Sequence, residues 1–114
     1  MIAARSGSVP VVEALLDAGI DIHDGDDAAL RVAAEAGKKE LVVFLLQHGA
    51  DIHAMNDNAL RGAAVHGQTE MVRALLASGA DTHDWGDLVV QAAIKNGHTE
   101  TAQVLREALQ KKIQ

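Results

Sequence analysis

Residues 49–80 read GADIHAMNDNALRGAAVHGQTEMVRALLASGA, and this stretch ends on the same Gly-Ala pair with which it begins. Its opening pattern also occurs thirty residues earlier, as Gly19-Ile20-Asp21-Ile22-His23, and thirty residues later, as Gly79-Ala80-Asp81-Thr82-His83. About half of positions 21–50 are identical to positions 51–80. A self-similarity at fixed spacing indicates a repeat architecture in which one small structural unit is stacked several times.

Other positions of the unit keep the same phase across the chain. Four sets of residues recur at the thirty-residue offset: Ala3, Ala33, Ala63 and Ala93; Gly7, Gly37, Gly67 and Gly97; Leu15, Leu45, Leu75 and Leu105; Asp27, Asp57 and Asp87. The small residues allow close approach of neighbouring helices, and the leucines supply apolar area to bury. The repeated leucines are therefore predicted to form the core.

Local signals within one unit predict two helices joined by a short connecting segment, the finger. Asp57 is a favourable N-cap for a short, Ala-rich helix A that ends at Gly67, where glycine can adopt a left-handed conformation. Helix B is predicted from about Thr69 to Ser78, with apolar residues on one face. Pro10 fits the first turn of helix B in the first unit, where a missing N–H group costs little. Residues 79–87 lack a helical period and form a finger.

The repeat resembles the ankyrin repeat. The pattern Gly-Ala-Asp-Ile-His, Ala-Leu-Arg-x-Ala-Ala-x-x-Gly, Glu-x-Val-x-x-Leu-Leu covers nearly the whole chain. Ankyrin repeats usually have about 33 residues, whereas three residues are missing here between Asp51 and Leu60, so the fingers are shortened. The resemblance implies an all-α solenoid of helix-turn-helix units with short connecting fingers.

The period divides the chain into one ankyrin repeat domain, 1–114, built of four units. They are a partial N-terminal repeat at 1–20, full repeats at 21–50 and 51–80, and a C-terminal capping repeat at 81–114. Arg106 and Thr101 replace apolar residues of the earlier units and predict a polar C-terminal end. The first unit lacks a finger and polar substitutions, which predicts an open N-terminal end.

Composition narrows the classes of partner. A net charge of −6 disfavours nucleic acid and anionic membrane surfaces, whose partners need clustered Lys and Arg. There is no cysteine, no signal-peptide pattern and no apolar run near the length of a membrane span. We expect an intracellular, cytoplasmic protein whose partner is neutral to basic.

The repeated histidines His23, His53 and His83 suggest a metal site, but one repeat separates them by about 10 Å, the spacing of packed helices. Shared zinc ligands would each lie about 2.0 to 2.1 Å from the ion. We therefore predict no metal site and expect these histidines to form hydrogen bonds between neighbouring fingers. His48 and His66 are predicted to lie on the surface.

Catalysis is not expected. The sequence shows no nucleophile and base at the spacing of a catalytic motif, and no glycine-rich loop that could hold phosphate. It also places no pair of carboxylates in a predicted cleft. The chain is predicted not to be an enzyme and to need no cofactor.

Positions that differ between the repeats are therefore the candidates for binding a partner. Trp85 replaces Gly25 and Met55 in the finger and is predicted to be an exposed aromatic anchor for a partner. The alternative is that its ring folds over the last repeat and protects the end of the core. In ankyrin proteins the partner commonly lies across the fingers and helix A. The matching residues predicted to bind are Trp85, Asp84, Met55, Asn56, Asp24, Asp26 and Val65.

The sequence is compatible with two functions. The first is recognition of a protein or peptide on a mildly acidic face, although the acids there could equally form a merely solvated surface. The second is a structural role, in which the chain is a scaffold or a self-associating part of a longer array that stacks through the open N-terminal end.

Overall fold

A computed structural model describes residues 8–82 and 85–113 of the chain, with side chains described up to Gln110. Within these ranges the structure contains seven α-helices and no strand. The helices are α1 (Val9–Asp17), α2 (Asp24–Glu35), α3 (Lys39–Gln47), α4 (Ala54–Val65), α5 (Thr69–Ala77), α6 (Gly86–Lys95) and α7 (Thr99–Ile113). The all-α prediction is confirmed.

The helices form three antiparallel pairs and one single helix. Helices α2, α4 and α6 correspond to helix A, and α1, α3, α5 and α7 correspond to helix B. Each helix A packs on its own helix B and on the helix A of the next pair. The stack measures 43 × 27 × 19 Å, an elongated form that follows from contacts limited to neighbouring units.

The core lies between the two rows of helices. Leu45, Leu75 and Leu105 are fully buried, and Leu15 in the first unit is half-buried. Buried alanines, Ala33, Ala63 and Ala93, let the helix A row pack closely. The repeat columns identified in the sequence are therefore the core.

Several predicted helix ends are confirmed, but Asp57 is not the N-cap of helix A: α4 begins at Ala54 with His53 at its N-cap, and a left-handed kink at residues 55–57 interrupts it. Helix α5 begins at Thr69, and Pro10 lies in the first turn of α1. Ser8 caps α1, because its Oγ accepts a hydrogen bond from the Val11 N–H at 3.4 Å. Gly67 has φ +70°, the left-handed conformation expected at the end of helix A.

The C-terminal end is less polar than predicted. Arg106 is exposed as expected, but Thr101 is buried and shares a 2.7 Å hydrogen bond with the hydroxyl of Thr69. Leu88 and Ile94 of α6 are exposed, Leu88 with 73% of its surface. The substitution at Thr101 therefore pairs two helices and does not cap the stack.

Candidate functional site

The finger turns carry three consecutive residues in left-handed backbone conformation. In the first complete repeat these are Gly25 to Asp27, with φ between 57° and 64°. In the second they are Met55 to Asp57, with φ between 52° and 58°. A left-handed residue other than glycine costs roughly 1–2 kcal/mol because its Cβ crowds the following carbonyl. Interactions elsewhere in the turn must hold this conformation.

A buried carboxylate at the end of each turn makes those interactions. Both Asp27 and Asp57 are buried. The Asp27 carboxylate accepts a hydrogen bond from the Asp51 N–H at 2.7 Å, and the Asp57 carboxylate accepts one from the Asp81 N–H at 2.8 Å. Each aspartate is therefore bonded to the backbone of the following repeat.

A histidine of the same turn binds each carboxylate from the solvent side. The Nδ1 atom of His23 lies 3.0 Å from the Asp27 carboxylate oxygens, and that of His53 lies 2.9 Å from the nearer oxygen of Asp57. The hydrogen bond that the Asp27 carboxylate accepts, followed by the negative charge of that carboxylate, raises the pKa of His23 above 6.5. The hydrogen bond that the Asp57 carboxylate accepts raises the pKa of His53 in the same way, against a smaller opposing effect of burial.

The stack is therefore expected to be more stable in mildly acidic than in alkaline solution. A histidine with a raised folded pKa contributes stability that is fully present below its unfolded pKa of 6.5 and is lost as pH rises through the folded pKa. Urea titrations from about pH 6 to about pH 8.5, where carboxylates stay ionised, should show this decline. A variant carrying His23→Gln and His53→Gln should show a shallower decline; an identical slope would contradict the assignment.

The predicted role of these histidines is corrected in one respect. They were expected to bridge neighbouring fingers, but the bridge is made by Asp27 and Asp57, while the histidines bond the aspartate of their own repeat. His83 lies outside the described residues. His48 and His66 are exposed, as predicted, and each Nδ1 lies within 3 Å of a carbonyl oxygen four residues earlier.

Trp85 is not the exposed anchor predicted from its position. Its side chain is only 7% exposed and belongs to the core. The indole Nε1–H donates a 2.9 Å hydrogen bond to the carbonyl oxygen of Asn56 in the left-handed turn of the preceding repeat. The alternative interpretation agrees with the structure in that the ring is part of the core. Trp85 supports the turn next to Met55.

The other predicted site residues fall into three groups. Asp24, Asp26, Met55 and Asn56 are exposed on the two turns, and Val65 is half-buried at the end of α4. Asp84 lies outside the described residues. We call the two turns with their exposed residues Asp24, Asp26, Met55 and Asn56 the finger face; Val65 lies at the other end of α4.

An arginine side chain stabilises the first turn and a tryptophan side chain the second, in both cases by donating hydrogen bonds to backbone carbonyls. The Arg31 guanidinium donates to the carbonyl oxygens of Gly25 and Asp26, at 2.9 and 3.1 Å. In the next repeat the carbonyl of Asn56, the counterpart of Asp26, is bound by Trp85 instead. Both turns are thus held in place from behind, which leaves their tips to present side chains. This support could not be read from the sequence.

Among residues 8–82 and 85–113 no group of three His, Asp or Glu side chains is placed to hold a metal ion. In the same part of the chain, no helix has the length and apolar character to cross a membrane.

Comparison with known proteins agrees with this architecture. A family model described as ankyrin repeats, in three copies, matches residues 1–84. No curated protein matches the chain.

Proposed function

Because the chain belongs to the ankyrin repeat family, and ankyrin repeats are generally protein–protein interaction modules, we propose that it binds a protein or peptide partner on the finger face. Ankyrin repeat proteins are typically not enzymes. The proposal requires no cofactor. The partner contacts the tips of the two turns and the neighbouring surface of helix A.

The exposure and the left-handed backbone of Met55 support this face most strongly. Its side chain is 51% exposed although its backbone has φ 52°, a conformation that is costly for a residue with a side chain. The equivalent position in the preceding repeat is Gly25, which adopts this conformation at low cost. Strained backbone tends to occur at functional sites, and methionine adapts well to partner surfaces. Met55 therefore replaces Trp85 as the proposed anchor.

Charge indicates the chemistry of the partner. Asp24 and Asp26 are exposed beside the first turn, and the chain as a whole carries a net charge of −6. A neutral or basic segment would meet no repulsion here, whereas an acidic one would. We propose a neutral to basic protein or peptide.

Met55→Gly is expected to weaken binding without loss of stability. The variant removes the anchor and restores the residue found at Gly25, so relief of strain offsets the greater freedom of the unfolded chain, within about 1 kcal/mol. Peptides can be selected from a displayed random library on the wild-type protein and measured by fluorescence polarisation. Their affinity for the variant should fall about tenfold or more.

Val43→Ala is the matched control for this experiment. Val43 is an exposed apolar residue of α3, on the opposite row of helices from the turns. Selected peptides should bind this variant as they bind the wild type. Peptides that lose affinity for Val43→Ala and keep it for Met55→Gly would contradict the proposal, because their binding site would lie on the helix B row.

Self-association through the first unit is a second candidate function. Val11 of α1 is 49% exposed, whereas its counterparts Leu41 and Met71 are buried under the preceding repeat. A second copy or a further repeat could cover this apolar surface. Sedimentation velocity over a wide concentration range should then show dimers that Val11→Glu abolishes. A single monomeric species at every concentration would remove this candidate.

A further inference from the structure

Arg61 occupies the same position of its repeat as Arg31 but makes different contacts. The Arg31 guanidinium donates two hydrogen bonds to carbonyl oxygens of the first turn. In the second turn the carbonyl of Asn56 is already bound by the indole of Trp85. Among the described residues, the Arg61 side chain forms no hydrogen bond and no ion pair. The five N–H donors of its guanidinium are therefore available to a partner.

The Arg61 side chain lies on the one face of α4 that the core leaves partly accessible. Four half-buried residues have the spacing of a single helix face, namely Asn58, Arg61, Gly62 and Val65. The residues between them are buried in the core. This face begins beside the turn that presents Met55 and extends over about 10 Å of the helix. A partner that contacts the turn can therefore continue along α4.

Gly62 opens this face to a main chain. Its counterparts in the neighbouring repeats are Val32 and Ala92, and its own backbone is not left-handed. Among the described residues, a Cβ atom at Gly62 would meet only the Cβ of Glu35, at an ordinary contact distance of 3.7 Å. Packing thus does not require glycine here, although glycine destabilises a helix interior relative to alanine. Close approach of a partner's main chain accounts for it.

We propose that Arg61 binds an acidic side chain of the protein partner while Gly62 lets the partner's main chain approach α4. The inference rests on the binding function proposed above and names one group that the partner must carry. A guanidinium pairs with a carboxylate through two parallel hydrogen bonds, which fix the orientation of the carboxylate as well as its position. Because Arg61 is half-buried, salt screens such a pair less than it screens a fully exposed one.

One carboxylate at this place is compatible with a neutral to basic partner. Asp24 and Asp26 are exposed on the preceding turn, one repeat away, which is about 10 Å for packed helices. A basic side chain is attracted there and an acidic one is repelled. The partner's charges are therefore expected in a fixed order, basic over the first turn and acidic at Arg61. In an extended segment this separation needs at least about three residues.

A double-mutant cycle with peptides selected on the wild-type protein tests the pair. The peptides should carry Asp or Glu at one shared position, and replacing that residue by Asn or Gln should lower their affinity about tenfold in fluorescence polarisation. Arg61→Gln, which introduces the residue type of Gln91, should weaken the acidic peptide equally and leave its amide counterpart unchanged. Equal effects of Arg61→Gln on both peptides, or selected peptides without Asp or Glu, would overturn the inference.

Two further variants serve as controls for the cycle. Arg106→Gln makes the same charge change at an exposed position of α7, on the helix B row, and both peptides should bind it as they bind the wild type. Met55→Gly separates this inference from the function on which it rests. Peptides that lose affinity for Met55→Gly and keep it for Arg61→Gln would overturn the inference alone. Peptides that keep their affinity for both variants would overturn the proposed function as well.

Thermal unfolding distinguishes binding roles of Arg61 and Gly62 from structural ones. Arg31→Gln removes two hydrogen bonds from the first turn and should lower the midpoint, whereas Arg61→Gln should leave it nearly unchanged. An equal fall for the two variants would show that the fold uses Arg61, and would overturn the assignment. Gly62→Ala should raise the midpoint and yet weaken the selected peptides. Unchanged affinity for Gly62→Ala would overturn the close approach of the main chain.

Discussion

Asp57→Ala is expected to lower the free energy of unfolding by about 1.5–3 kcal/mol, the usual range for a hydrogen bond to a charged group. The carboxylate is fully buried, holds the Asp81 N–H at 2.8 Å and binds the ring of His53. The substitution leaves that amide without its acceptor. It also leaves an alanine at φ 57°, which Asp tolerates better.

Asp87→Ala is the matched control, since Asp87 occupies the same repeat position but is exposed. A surface change of this kind is expected to alter stability by no more than about 0.5 kcal/mol. Urea unfolding followed by the emission of Trp85, the single tryptophan of the chain, measures both variants. Equal effects at the two positions would show that the bond between repeats contributes little.

Trp85→Ala is the second large effect and is expected to cost about 3–5 kcal/mol, as for other buried aromatic residues truncated to alanine. The ring contributes to a core that contains only one other aromatic residue of the chain, Phe44, and that one is half-buried. The sequence position had favoured an exposed ring whose loss would spare the fold. Circular dichroism at increasing urea concentration should instead show a strongly destabilised variant.

Trp85→Phe separates the packing of the ring from its hydrogen bond. Phenylalanine keeps an aromatic ring but cannot donate to the Asn56 carbonyl, and loss of one such bond costs about 1 kcal/mol. The expected order of stability is wild type, Trp85→Phe, then Trp85→Ala. If Trp85→Ala were as stable as the wild type, the side chain would not be part of the core in solution.

The helices and the core were accessible from the sequence, because periodicity reports which faces are apolar. A thirty-residue repeat places Leu45, Leu75 and Leu105 in the same environment, and all three are fully buried. The boundaries of α5 followed from a helical run that ends before Gly79. These features depend on short-range spacing, which a single sequence contains.

The arrangement of the turns was less accessible. The partners of Asp27 and Asp57 lie 24 residues away, and the carbonyl bound by Trp85 lies 29 residues away. Such contacts form only when the repeats stack in space, and the composition of the chain does not show which groups then meet. Trp85 was misplaced for this reason: a large ring in a connecting segment usually suggests a surface, but here it is buried in the core and bonds to the preceding repeat.

Positions that depart from the repeat pattern indicate candidate binding surfaces. Met55 interrupts its column and lies on the surface proposed here to bind a partner.

The bonds from Asp27 to the Asp51 N–H and from Asp57 to the Asp81 N–H have a consequence for how such a chain can lengthen. Each thirty-residue unit carries an acceptor for the unit that follows and a donor for the unit before it. An in-frame duplication of one unit would place a carboxylate opposite an amide at the new junction without any further mutation. Gene duplication can therefore extend this protein one repeat at a time, with each added copy already fitted to its neighbours.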